Sequence, residues 1–196
     1  FGIPVEYERK QNLLEERHIK EIIIILQFID SVQKNDVVQR DDLLPQILSF
    51  EFWGLNRIAL WRLAHGASRS RISLLSAMLR SESQYLKKIA GFLINLAAEA
   101  KEKTAEEVID LITGVEQSIL QQDEHDDDQD QAGLGLEETF RSPFKSFYFS
   151  DSVRADSQSN YYEHLENMRA FIAKIREYNG GKTLQVADAV EFIQLL

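Results

Sequence analysis

The chain has no cysteine among its 196 residues, which removes a disulfide framework and any thiolate zinc site together. It has no apolar run long enough for a bilayer. The longest, Ile22 to Leu26, falls far short of the roughly 20 residues that a spanning helix needs. No secretory signal opens it, so a cytoplasmic protein with no membrane partner is the default expectation. No repeat recurs at a solenoid period. Positive charge is also in deficit: 22 Lys and Arg stand against 32 Asp and Glu, for a formal net charge of −10 and a pI near 4.9. Such a balance argues against a protein coated with cations for nucleic acid.

Chemical motifs are incomplete wherever they begin. Gly181-Lys182-Thr183 imitates the end of a phosphate loop, but the motif needs glycine five residues before Gly181 and Arg176 is there. A helical pattern precedes it where a strand is required, so the pair Gly180-Gly181 reads as a helix stop and Thr183 as a cap. Asp126, Asp128, Asp130 and Glu137 fall at positions one, three, five and twelve of a calcium loop. Gln131 takes the place of the glycine at its sharp turn and Gly133 the place of an apolar residue, so a solvated charge run is the better reading. His18, His65, His125 and His164 have no metal-ligand spacing, and no serine sits in a nucleophile-elbow pattern. Nothing here identifies a catalytic residue or a metal site. Trp53 and Trp61, about two helical turns apart, read as helical packing rather than as base-stacking residues, which need exposed faces.

What is present is the material of a helical domain. Hydrophobic residues make up 44% and charged residues 28%, ordinary values for a folded chain long enough to bury one good core or a core plus an appendage. Near the N-terminus, Pro4 and the alternation of Val5 and Tyr7 with Glu6 and Glu8 predict a short strand. Asn12, with Glu15 three residues on, predicts the cap of a long helix running through Ile22, Ile23, Ile24, Ile25, Leu26, Phe28 and Ile29. That helix has no polar face over two turns and should be buried on several sides, which suggests a piece of something larger. Further helices are expected after Asp42 with Pro45 in the first turn, after Gly54, over Ser73 to Leu79, and over Ser83 to Lys101. Thr104 and Glu107 form a capping box for a helix to Leu120, and another helix spans Tyr161 to Tyr178. Between them, 121–136 reads as an acidic loop, and the aromatic-rich stretch Phe140 to Phe149 as an irregular segment. The fold class expected is all-α and multi-helix, with a short N-terminal strand.

Charge is unevenly placed. From Gly54 to Ala90 the cations are Arg57, Arg62, Arg69, Arg71, Arg80, Lys87 and Lys88, and Glu82 is the one acid, a net of +6 (seven minus one). From Asp123 to Asp130 the sign reverses, with six acids. Arg69 and Arg71 fall in a serine-rich turn after Gly66. Cations beside free N–H groups at the start of the following helix are what phosphate contact requires. Solvated helix faces are the alternative reading of the same residues.

Three stretches resemble the UvrD/Rep-like superfamily 1 DNA helicases. Gly2-Ile3-Pro4 followed by Leu13, Leu14, Ile19, Lys20 and Glu21 is similar to the family's strand and helix in the second RecA-like domain, with Glu16 and His18 departing from it; Gln27, Phe28 and Ile29 fall near that helix's end. Phe52, Trp53, Gly54, Leu55, Leu60 and Leu63 resemble a pattern of the RecB and AddA branch. In UvrD-type relatives a Gly-Ile-Gly turn contacts duplex phosphate at that place, and here the turn is Gly54-Leu55-Asn56. Leu165, Glu166, Asn167, Phe171, Leu184, Ala187, Val190 and Ile193 resemble the segment before the strand that carries the fifth helicase motif, and the chain stops where that strand would begin.

The resemblance implies residues 1–36 as a flank of subdomain 2A and 37–196 as the helical 2B insertion of an ATP-dependent helicase acting in repair or recombination. It implies DNA, duplex or single-stranded, met at the turn of Gly54 and Asn56, and the uneven charge adds Arg57, Arg62, Arg69, Arg71, Lys87 and Lys88 as the cations that would hold it. The rest of the helicase would be met through Leu13, Ile19, Ile22, Ile23 and Leu26, or that face would be covered in a homodimer of the fragment. ATP and magnesium would belong to the parent, and this chain would hold no cofactor and catalyse nothing alone. A helical protein-interaction module, or the same segment of an ATPase-inactive nuclease subunit, are the alternatives.

Overall fold

The computed structural model describes residues 13–34, 42–114, 140–178, 180 and 183–195, and among these it is all-helical. In chain order the helices are α1 (Arg17–Gln33), α2 (Leu43–Leu48), α3 (Arg57–Ser70), α4 (Leu74–Arg80), α5 (Gln84–Glu99) and α6 (Ala105–Thr113). They continue with α7 (Phe144–Tyr148), α8 (Asp151–Asp156), α9 (Gln158–Tyr178) and α10 (Val186–Leu195). The strand expected near Pro4, the Asn12 cap and the acidic loop 121–136 lie outside the described residues.

α1 is the centre of the fold because its sequence leaves it no solvent face. Packing from α2, α5, α9 and α10 surrounds it. Ile19, Ile22, Ile25, Leu26 and Ile29 are 0% exposed and Ile23 is 7%. At about 1.5–3 kcal/mol for each fully buried aliphatic side chain, this helix contributes a large share of the hydrophobic stabilisation. The chain's own helices cover α1, so Ile19, Ile22, Ile23 and Leu26, expected at a partner-facing surface, are buried within this chain. Of the predicted set, only Leu13 is half-buried. The start of α1 also differs from the prediction. A 3-10 turn, Leu13–Glu15, comes first, and Glu16 is extended at ψ 129°, so the α-helix begins at Arg17.

Around α1 the apolar stripes of α5 (Ile89, Phe92, Leu93, Leu96) and α6 (Val108, Ile109, Ile112) close the core. Ser73, Ser83 and Thr104 cap α4, α5 and α6 through their side chains, and Thr104 with Glu107 completes the expected capping box. Asp42 precedes α2 but makes no side-chain cap bond. α6 ends at Thr113, short of the predicted Leu120, with Gly114 left-handed at φ +75°; residues 115–120 are not among those described. The stretch expected to be irregular after Phe140 contains α7, whose Phe144 and Tyr148 are buried. Phe140 stacks on Trp53 and meets Phe92 and Tyr85 edge-on, and the Tyr85 hydroxyl donates to the Trp53 carbonyl at 2.9 Å. Arg176, the residue that spoils the phosphate-loop pattern, grips Glu106 with two guanidinium nitrogens (2.9 and 2.6 Å) and ties α9 to α6.

Candidate nucleic-acid interface

The basic stretch folds as a helical hairpin on the edge of the core. A 3-10 turn at Glu51–Trp53 buries Phe52 and Trp53, and Gly54 closes it at φ +63°, a conformation that favours glycine. Asn56 then starts α3: its side-chain oxygen accepts from the N–H groups of Ile58 (2.8 Å) and Ala59 (3.2 Å). Those two donors are thereby taken, so Gly54 and Asn56 shape the turn and set where α3 points. Gly66 lies inside the helix, and α3 runs on to Ser70, so Arg69 is helical and the turn comes later than expected, at Arg71. The end of the helix falls at Arg71, left-handed at φ +53°. Its N–H bonds the Ser68 carbonyl and the next N–H, of Ile72, bonds that of Ala67, a Schellman pattern with arginine in glycine's usual place. Ser73 caps α4 onto the Ser76 N–H, so that start too is already served by its own chain.

The cations themselves are unspent. Arg57, Arg62, Arg69, Arg71 and Lys88 are exposed and Lys87 is half-buried. None of them makes an ion pair among the described residues. α3 carries no acidic residue. Its inner side, Leu60, Leu63, Ala64 and Ala67, packs on the core. Its outer side carries Ile58, 63% exposed, and Trp61, 65% exposed. Trp61 stacks on His65 with planes 6° apart and centroids 5.2 Å apart. The sequence placed both tryptophans in packing. That holds for Trp53, 2% exposed, and is overturned for Trp61. The signal for it lay in the helical wheel, which sets Trp61 opposite Leu63 and Ala67 once α3 is known to continue through Gly66.

A second polar cluster lies inside the protein. The Tyr148 hydroxyl donates to Glu21 at 2.8 Å, and Arg17 donates to Glu21 at 3.2 Å while also pairing with Glu51 at 3.0 Å. His18, 1% exposed, packs its ring 4.6 Å from that of His164, and among the described residues its Nε2 has no hydrogen-bond partner. Burial, helped by the neighbouring His164, lowers the His18 pKa to about 4. Burial raises that of Glu21 despite its two donors. Burial and the bond to Glu21 raise that of Tyr148. The cluster joins α1, α7 and α9: His18, Glu21 and Tyr148 are buried, while the Arg17–Glu51 pair at its edge is about half exposed. Among the described residues no three His, Asp or Glu side chains are grouped to hold a metal ion.

No family model matches the chain, and neither the curated proteins nor the solved structures contain a match to it.

Proposed function

We propose that the chain is a DNA-contacting accessory module of a UvrD/Rep-like ATP-dependent helicase, equivalent to its 2B insertion. In this reading it holds duplex phosphates on the α3–α5 edge, through Arg57, Arg62, Arg69, Arg71, Lys87 and Lys88. ATP and magnesium are bound by the parent's RecA-like domains, and the module itself catalyses nothing. The single observation that carries the reading is that six cations lie on one segment with no carboxylate partner among the described residues, in a protein whose formal charge is −10. Cations left free on an acidic protein suit a polyanion that does not require the whole surface to be basic. The order of the three helicase-like stretches supports the parent class. Gly54 and Asn56 act as positioning residues, since the Asn56 oxygen caps its own helix.

Contacts of this kind are to phosphate and carry no base information, so affinity should not depend on duplex sequence. Fluorescence anisotropy with a labelled duplex at low salt tests the reading. Wild type should bind, and Arg62→Ala with Arg69→Ala should weaken binding about tenfold, equally on duplexes of unrelated sequence. Equal binding by the double variant would assign these arginines to an ordinary solvated face.

A further inference from the structure

Arg57, Trp61, His65 and Arg69 follow one another at intervals of four residues. On an α-helix that spacing makes a single ridge, and its twelve-residue length spans about 18 Å at 1.5 Å per residue. The ridge therefore reads cation, indole, imidazole, cation, with Ile58 and Arg62 flanking it. All six residues are exposed. The aromatic pair is nearly coplanar in orientation, 6° between planes, which fixes the indole against the imidazole while the tryptophan stays 65% exposed. Phosphate contact alone would use the arginines and leave an exposed tryptophan unexplained. An aliphatic partner helix would look for an apolar stripe at successive three- and four-residue steps. This ridge offers it only Ile58 and Trp61 between cations.

We propose that the outer face of α3 is a stacking platform for unpaired nucleobases of DNA. Trp61, backed by His65, takes a base on its exposed π-face, and Arg57 and Arg69 at the ends of the ridge hold the flanking phosphates. Both halves of a nucleotide are matched: flat aromatic surface for the base and exposed cations for the backbone. The inference rests on the DNA-contact reading and extends it from the duplex to the unpaired bases beside it.

The two tryptophans make the test direct. Trp53 is 2% exposed and Trp61 is 65%, so quenching by a ligand on the surface reports Trp61. The full chain is titrated at low salt with (dT)12, with a twelve-unit abasic strand of equal charge, with a blunt duplex and with polyglutamate. The (dT)12 strand should quench the fluorescence and bind about tenfold tighter than the abasic strand. Trp61→Ala should abolish the quench and remove that tenfold difference, leaving the weaker abasic and duplex binding in place. Trp61→Tyr should restore part of the difference. Because Trp61 lies on the surface, neither variant threatens the core. Equal affinity for (dT)12 and the abasic strand, a quench that survives Trp61→Ala, or a polyglutamate quench as strong as that of (dT)12 would each overturn the proposal. Arginine-dependent duplex binding without any base-dependent gain would overturn the stacking platform and leave the duplex reading standing. Absence of binding to every nucleic acid would overturn both.

Discussion

His18 gives a pH dependence whose size follows from its surroundings. It is 1% exposed, faces His164 across 4.6 Å, and has its pKa lowered from 6.5 to about 4. The folded protein therefore disfavours the charged imidazole. Its contribution is whole above about pH 6.5 and is lost as pH falls toward 4, since protons then bind the unfolded chain preferentially. The full penalty, at 1.36 kcal/mol for each tenfold change in proton affinity, is about 3 kcal/mol; between pH 7.5 and pH 5 about 2 kcal/mol of it is incurred. Glu21 acts in the opposite sense. Its raised pKa means its carboxylate is disfavoured by folding, so protonation at acid pH relieves a cost. Comparing wild type with His18→Leu isolates the histidine, because Glu21, Tyr148 and Arg17 are common to both. Leucine at this site also removes the Nε2 that lacks a partner. Urea denaturation, followed by the fluorescence of buried Trp53, should show the variant gaining on wild type by about 2 kcal/mol between pH 7.5 and pH 5. A difference that does not change with pH would refute the claim that His18 is held neutral by burial.

Two further substitutions test the packing and the helix ends. Ile25→Ala, on a residue 0% exposed at the centre of α1, should cost about 2–5 kcal/mol, whereas Ile58→Ala, at 63% exposure, should stay within about 0.5 kcal/mol. Equal losses by urea denaturation would contradict the burial pattern. Arg71→Gly should raise stability by about 0.5–1 kcal/mol, because it relieves a left-handed arginine at φ +53°, while Arg71→Ala should give no such gain. Matching thermal midpoints for the two variants would remove the argument from strain.

The parts of the fold that follow from local pattern are legible in the sequence. Ser83, Thr104 and Glu107 mark helix starts, and the stripes of α5 and α6 repeat at helical spacing, so α5 lies within a few residues of its predicted place and α6 starts where expected, although it ends at Thr113 rather than Leu120. α1 is helical as its sequence requires, but whether its many apolar faces are covered by this chain or by another depends on α2, α5, α9 and α10. No local pattern encodes that. The end of α3 was hidden for a different reason. Gly66 invites a stop, yet helices tolerate glycine at about 1 kcal/mol, and the real end uses Arg71 where glycine is the usual signal. With α3 cut short, Trp61 had no defined face. The cations were visible from charge alone, but that they make no ion pair among the described residues is a property of the folded surface.

The salt dependence of duplex binding tests the central claim most directly. Each cation that meets a phosphate releases condensed counterions, so the slope of log affinity against log salt counts the contacts. Arg57, Arg62, Arg69, Arg71, Lys87 and Lys88 set a ceiling of six, and hence a slope no steeper than about −5. The account predicts a slope of about −3 to −5 for the wild-type chain, reduced by about two in the Arg62→Ala, Arg69→Ala double variant. A slope near zero, or one that the double variant leaves unchanged, would contradict it.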